Sequence, residues 1–324
     1  MLLVAAVVVL ATVVVSLWLS RPLSVPRVTH TAQITYDGRR KNSFVTDGAR
    51  IFYDDGAGRI WQVSLKGGDP VPMPSAWDGM EPLDISSDGS ELLLGQTRAL
   101  ITGGFRLCVA SATGSVPRCF GDLSVDDACW SPRSDQIAYA KGSEIHIARL
   151  DGSELRKLAQ VPGNISNPRW SPDGHKIRFT VVENYTGALW EVWPDGSHLH
   201  PVFSSWAGYG QAEGSWSMDR KYFAFTAFSG PVANAPGASI WAIRDRRGIF
   251  ERVDPRPVQL TTGPMKAVNP HITPDGRHIL VFGVSSRGEL VRYDTLSSQW
   301  FPLLAGLSAT ELDYSRDRKW LRAC

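Results

Sequence analysis

WSPDGHKI, residues 170–177, is the stretch whose reading decides the fold. Pro172 suits the first corner of a tight turn, Asp173 the second, and Gly174 a left-handed position that residues with a Cβ disfavour. Trp170 ends a short apolar strand before the turn, and the alternating HKIRFT begins another after it. The phrase recurs as VTDGARI (45–51), ISSDGSEL (85–92), WSPRSDQI (130–137), WSMDRKYF (216–223), ITPDGRHI (272–279) and YSRDRKWL (314–321). Its acidic slot falls at Asp47, Asp88, Arg133, Asp173, Asp219, Asp275 and Asp317, so successive gaps are 41, 45, 40, 46, 56 and 42 residues. A period in this range marks a repeat architecture. Where Ser134, Arg220 or Arg318 stands in the glycine slot, the turn must be strained or differently shaped.

A second hairpin follows each first one. Its leading strand aligns as RIWQVS, RLCVAS, EIHIAR, ALWEVW, SIWAIR and ELVRYD, and turns such as ATGS, LDGS and PDGS lead onward to a fourth short strand. Each repeat is therefore four antiparallel strands with no helical periodicity, and the strand after the phrase carries one apolar face. A lone four-stranded sheet of this size cannot bury itself, so neighbours must stack, and radial stacking of such sheets is a β-propeller. The expected fold is all-β: six complete four-stranded blades, with a seventh, begun at residue 308, cut off at Cys324. Gln33-Ile34-Thr35 matches the outer-strand Gln259-Leu260-Thr261 and has no blade of its own before it. It is expected to close the last blade, since closing the ring removes exposed sheet edges. The cut blade further suggests a fragment.

Composition narrows the function classes. The 324 residues hold 34 Lys and Arg against 32 Asp and Glu, a formal charge of +2. That balance lacks the basic excess of a nucleic-acid-binding surface. Apolar residues at 43% and charged residues at 20% exclude a disordered chain.

Residues 1–20, MLLVAAVVVLATVVVSLWLS, carry no charge before Arg21. As a helix, about 19 residues rise roughly 28 Å, close to a bilayer's hydrocarbon thickness. A cleaved leader is the alternative, but no basic residue precedes the run and no A-x-A site follows. The expectation is a transmembrane anchor (1–20), a linker (21–32) and a propeller (33–324). The missing positive flank suggests that the natural start lies further upstream. Arg21, Arg27 and Arg39-Arg40-Lys41 all follow the helix, and a long domain can translocate despite such charges, so the charge rule leaves the side open.

The W-S-P-D-G phrase, the strands with Trp61, Trp190 or Trp241, and Gln259-Leu260-Thr261 together resemble TolB-type, WD-repeat-like propeller blades, over nearly everything after residue 30. The G-H…W-D signature of standard WD repeats is absent. The order of anchor, then PRVTHTAQITYDGRRKNSFVTDGARIFY, then blades is similar to the extracytoplasmic half of bacterial membrane-anchored winged-helix regulators. That resemblance implies a cytoplasmic DNA-binding domain before the anchor, which this sequence lacks, and a periplasmic propeller at the inner membrane.

Signals for chemistry are sparse. There is no G-x-S-x-G, no H-E-x-x-H, no paired C-x-x-C and no phosphate-cradling glycine loop. The D-G pairs lack the ligand series of a calcium loop and read as turns. No catalytic, cofactor-binding or metal-ligating residue is assigned. His146 fills the slot of Trp61 and Trp190 and reads as packed, while His198 and His200 read as a solvated face. Cys108 and Cys119 fall opposite one another if a two-residue loop sits at Thr113-Gly114, which brings a cross-strand disulfide within reach. Two buried thiols in another register are the equal alternative.

Recognition is expected on the rim that carries the connections between hairpins and between blades, because variable loops on a rigid scaffold usually do the binding. Those segments are SAWDGMEP (75–82), QTRALITGGF (96–105), VENYTG (182–187), SSWAGYGQAEG (204–214) and AFSGPVANAPGA (227–238). Trp77, Tyr185, Trp206 and Tyr209 are the candidate anchors; each could equally cap a blade end as core. The functional expectation is a non-enzymatic, membrane-tethered module for a protein or peptide partner, with no cofactor, in a signalling regulator. The alternatives are a propeller that gates a prolyl-oligopeptidase-like catalytic domain, and a TolB-like periplasmic envelope protein.

Overall fold

The computed structural model describes residues 26–97, 104–150, 153–203, 210–230, 235, 237–245, 257–263, 265–284, 291–302, 312–317 and 321–323. The expected anchor and residues 21–25 of the linker lie outside them. Among the described residues no helix is long and apolar enough to cross a membrane.

Nearly all regular structure is strand. Blade 1 holds β1 (Phe44–Thr46), β2 (Arg50–Asp54), β3 (Ile60–Ser64) and β4 (Val71–Pro72); blade 2 holds β5 (Met80–Ile85), β6 (Glu91–Thr97), β7 (Phe105–Ser111) and β8 (Arg118–Val125). Blade 3 holds β9 (Asp127–Trp130), β10 (Gln136–Lys141), β11 (Glu144–Arg149) and β12 (Arg156–Gln160). Blade 4 holds β13 (Asn164–Trp170), β14 (Ile177–Glu183), β15 (Thr186–Val192) and β16 (His200–Pro201). Blade 5 holds β17 (Gly210–Trp216), β18 (Tyr222–Phe228), β19 (Ala238–Arg244) and β20 (Val258–Gln259). Each is an antiparallel meander of four strands. Three two-stranded hairpins follow: β21 (Lys266–Ile272) with β22 (Ile279–Val284), β23 (Val291–Asp294) with β24 (Gln299–Pro302), and β25 (Leu312–Tyr314) with β26 (Leu321–Ala323).

The expected count of six complete blades and a cut seventh is corrected here. Five four-stranded blades are complete among the described residues. The chain divides after Gly283 into two compact units, so the strands read as a sixth blade are split between them. The second unit, 284–324, contains β23 to β26.

Within the first unit the sheets form a closed circle. Successive innermost strands neighbour one another from β1 through β5, β9, β13 and β17 to β21. Phe44 of β1 then meets His271 of β21 at a ring separation of 4.6 Å. Each blade buries both faces, where the sequence pattern suggested one. Leu92 and Leu94 of β6 pack toward Phe52 and Ile60 of blade 1, while Leu93 between them packs toward Trp130 and Tyr139 of blade 3. Strand alternation thus delivers apolar side chains to two seams at once, each fully buried large one contributing roughly 1.5–3 kcal/mol. The last seam joins Phe44, Ile51, Tyr53 and Val63 of blade 1 to Leu280 and Phe282 of β22.

The repeated phrase folds as its residues require. Gly89, Gly174 and Gly276 sit at φ +70°, +74° and +67°, and Ser134 and Arg220 occupy the same left-handed slot at +55° and +58°. The Ser or Thr before each turn donates to the turn's carboxylate: Ser86 to Asp88, Ser171 to Asp173, Ser217 to Asp219 and Thr273 to Asp275. In blade 3, where Arg133 fills the acidic slot, Ser131 donates to Asp135 instead. The Asp-Gly pairs are turn-forming groups.

Gln33-Ile34-Thr35, expected as a closing strand, is not part of a ladder. Ile34 nevertheless packs into the last seam with Trp61 and Phe282. The Gln33 side chain donates to the Thr35 carbonyl as Gln259 does to that of Thr261, so the two segments share a local form.

Candidate functional site

The innermost strands end in the phrase's aromatic or aliphatic residue, and the residue just before it is polar in most blades: Asp84, Cys129, Arg169, Ser215 and His271. Two residues earlier stand Asp127, Asn167, Glu213 and Asn269. Asn167, Glu213 and Asn269 are left-handed, at φ 49°, 55° and 55°, and the ladder shifts register beside Asn167 and Glu213, so the alternation slips there.

Many of these side chains latch one blade to the next. Asp84 of blade 2 accepts the Trp130 N–H of blade 3 at 2.8 Å, and Asp127 of blade 3 accepts the Asn167 N–H of blade 4 at 2.8 Å. Ser215 of blade 5 accepts the Ile272 N–H of β21 at 2.7 Å. Glu213 accepts from the Thr226 hydroxyl and from the Asn269 N–H of β21. Thr180 of blade 4 accepts the Glu213 N–H at 2.8 Å.

Arg169 is the cation at the centre of this group, and it feels Asp84, Asp127 and Glu213 from three different blades. Burial alone would weaken its charged form, but Asp84 and Asp127 outweigh that and hold its pKa above the ordinary value. Burial pushes the carboxyls of Asp84, Asp127 and Glu213 up, with Arg169 opposing. His271, 9% exposed, is pulled down to about 3 by burial and by Arg169, and so stands neutral. Among the described residues its buried Nε2 meets no hydrogen-bond partner. Burial likewise raises the Cys129 thiol well above its usual range, which makes it a poor nucleophile. Toward the rim of the inter-blade connections, Glu81 is pushed up by burial and by the charges of Asp54 and Asp127. Among the described residues, this group therefore sets three carboxyls, Asp84, Asp127 and Glu213, against the one guanidinium of Arg169. Among the described residues no group of three or more His, Cys, Asp or Glu is placed to hold a metal ion.

The residues singled out from sequence fall differently. Of the two readings left open for Trp77, the structure takes the core one. A short 3-10 turn, Ser75–Trp77, drops its ring into the core between blades 1 and 2, where it is 0% exposed and its indole donates to the Ser115 carbonyl at 2.8 Å. Tyr185 is 72% exposed at the tip of the β14–β15 hairpin. Trp206 and Tyr209 lie outside the described residues. Cys108 and Cys119 are register partners across β7 and β8, and their sulfurs are bonded. His146 is buried, stacked on Tyr139 with ring centroids 5.0 Å apart, and shares Glu144 with Lys157. His198 lies against the Trp193 ring. Sequence reasoning missed the axial rows. Their one signal was a polar residue lodged immediately before an otherwise apolar strand end.

No protein-family model matches the chain. A TolB structure from Agrobacterium tumefaciens superposes with a TM-score of 0.58 at 20% identity, covering 76% of this chain and 91% of that one. The fold is that of a TolB-like β-propeller. A 73-residue stretch is 38% identical to the uncharacterized peptidase YuxL of Bacillus subtilis (strain 168), and a 72-residue stretch is 31% identical to the Tol-Pal system protein TolB of Syntrophus aciditrophicus (strain SB). Each match covers 21% of this chain, and they span 11% and 16% of those relatives' own lengths.

Proposed function

We propose that this chain is a non-enzymatic binding module that takes a protein or peptide partner on its loop-rich rim, tethered by residues 1–20 at a bacterial inner membrane with the propeller in the periplasm. In this reading it is the sensory half of a signalling regulator. The observation that carries it is Tyr185. Asn184 and Tyr185 both take left-handed backbone, at φ 50° and 61°, which is the two-residue turn that matches strand twist. A large ring is thereby held out to solvent on a stiff support, the arrangement typical of an interface anchor. The three carboxyls set against Arg169 favour a partner with basic character. The bonded Cys108–Cys119 pair suits an oxidising compartment. Trp206 and Tyr209, on the same rim in sequence, are proposed as further anchors.

Capture of partners from envelope extract by the 26–324 segment tests this. Tyr185→Ala, Trp206→Ala and Tyr209→Ala should each weaken capture of the same protein by roughly tenfold, the scale of a modest anchor. Unchanged capture by all three variants would remove the rim. A peptidase-associated propeller is the second reading, favoured by the 38% identity to YuxL. It requires a hydrolase domain encoded beside this frame, and an upstream winged-helix domain would decide for the regulator. A TolB-like envelope protein, favoured by the match to TolB, would be recovered free of the membrane.

A further inference from the structure

Blade 5 carries a cavity of about 350 Å³ at the end where the β18–β19 connection and the passage from β20 to β21 lie. It is separate from the axial group, none of whose residues lines it. Two paired strands build its wall. Trp241 of β19 stands opposite Gln259 of β20, and Ser239 lies two residues earlier on the same face of β19. Thr261 and Thr262, just beyond β20, line it as well.

The hydrogen bonds already made decide what remains for a ligand. Ser239 Oγ accepts from the Trp241 indole at 2.9 Å, and Thr261 Oγ1 accepts the Ile240 N–H at 2.8 Å, so each hydroxyl keeps its own proton to donate. Gln259 donates through Nε2 to the Thr261 carbonyl at 2.9 Å, which leaves its Oε1 to accept. The exposed Thr262 hydroxyl can do either. Lys266 is the sole charged residue among the described ones lining the cavity, and its Nζ donates to the Ala235 carbonyl at 2.8 Å. A metal ion would therefore meet no carboxylate there, and a phosphate would meet one cation already engaged.

We propose that this cavity binds a neutral saccharide of one or two rings. The apolar C–H face of a pyranose covers the Trp241 ring, and its hydroxyls, which both donate and accept, meet the two hydroxyl protons and the Gln259 Oε1. The volume stands at the lower end for small-ligand sites, about 300–1,000 Å³, which sets the size of the occupant. This inference stands independently of the rim reading built on Tyr185.

Saturation-transfer NMR titrations of the full chain with glucose, galactose, N-acetylglucosamine and maltose test it, with glucuronate and inorganic phosphate as charged probes. At least one neutral sugar should bind with a dissociation constant of about 10 mM or tighter. Thr262→Val and Gln259→Leu should each weaken that binding about fivefold, the scale of one lost hydrogen bond. Val116→Ala, at an 80% exposed position between β7 and β8, should leave it unchanged. The proposal is overturned if no neutral sugar binds at that level, if neither cavity variant weakens binding, or if glucuronate or phosphate binds more tightly than every neutral sugar.

Discussion

His271 shows how far a single residue's surroundings can move it from its ordinary behaviour. Burial and Arg169 hold its folded pKa down to about 3, against an ordinary value of 6.5. Between those values the unfolded chain holds a proton that the folded chain does not, so stability falls as pH drops through this window. The carboxyls of Asp84, Asp127 and Glu213 have the opposite sign. Their raised folded values give stability that is present below the ordinary carboxylate range and lost as pH rises through the folded pKa. His271→Phe keeps a ring against Phe44 and removes only the first effect. Relative to the variant, wild type should lose up to ~1.4 kcal/mol per pH unit between pH 6.5 and 3. Urea unfolding at several pH values measures the difference, and parallel curves for the two proteins would contradict it. None of this was legible in sequence, because the row holding His271 is defined by six strands meeting at a point rather than by neighbours along the chain. Trp77 was left open between rim anchor and core cap for a related reason. A loop position gave no sign that a single turn of 3-10 helix would bury the ring beneath the Ser115 carbonyl.

At the scale of elements, local pattern was informative. The W-S-P-D-G phrase specified its strands and turn through residue chemistry alone, and even Ser134 and Arg220 adopt the left-handed slot that glycine fills elsewhere. The hairpin arithmetic that set Cys108 opposite Cys119 used the same kind of information. Native protein unfolded without reductant should therefore expose two reactive thiols, from Cys129 and Cys324, not four. Replacing both Cys108 and Cys119 with Ala should cost about 2–4 kcal/mol in urea unfolding. Turns also carry inter-blade fit that their own sequence does not announce. Gly196, at φ +88° in blade 4, sits where a Cβ would lie 2.8 Å from the Leu158 carbonyl of blade 3. Gly196→Ala should lower stability by roughly 1–3 kcal/mol through both strain and overlap. A neutral result would place that turn clear of β12.

For the molecule as a whole, the repeat period disclosed a propeller, while the number of blades was beyond it. Seven phrases were countable, yet a complete blade also needs a second hairpin paired to the first, and for the phrase at 272–279 the structure divides the two at Gly283. The gap of 56 residues between the acidic slots at Asp219 and Asp275 likewise reveals nothing about which strands pair. What the ring requires instead is that blade 1 meet the β21–β22 hairpin. Besides Phe44 and His271, a Cβ built on Gly48 would lie 2.7 Å from the Pro274 side chain, so the phrase turns of the first and last elements touch. Electron-electron distance measurements between spin labels test this closure most directly. Ala49 and Arg277, both exposed and beside those turns, report on the seam, and the exposed His175 of blade 4 gives the reference across the ring. A closed circle places the 49–277 pair nearer than the 49–175 pair. An open arc of blades would make 49–277 the longest separation of all, and that result would contradict the account.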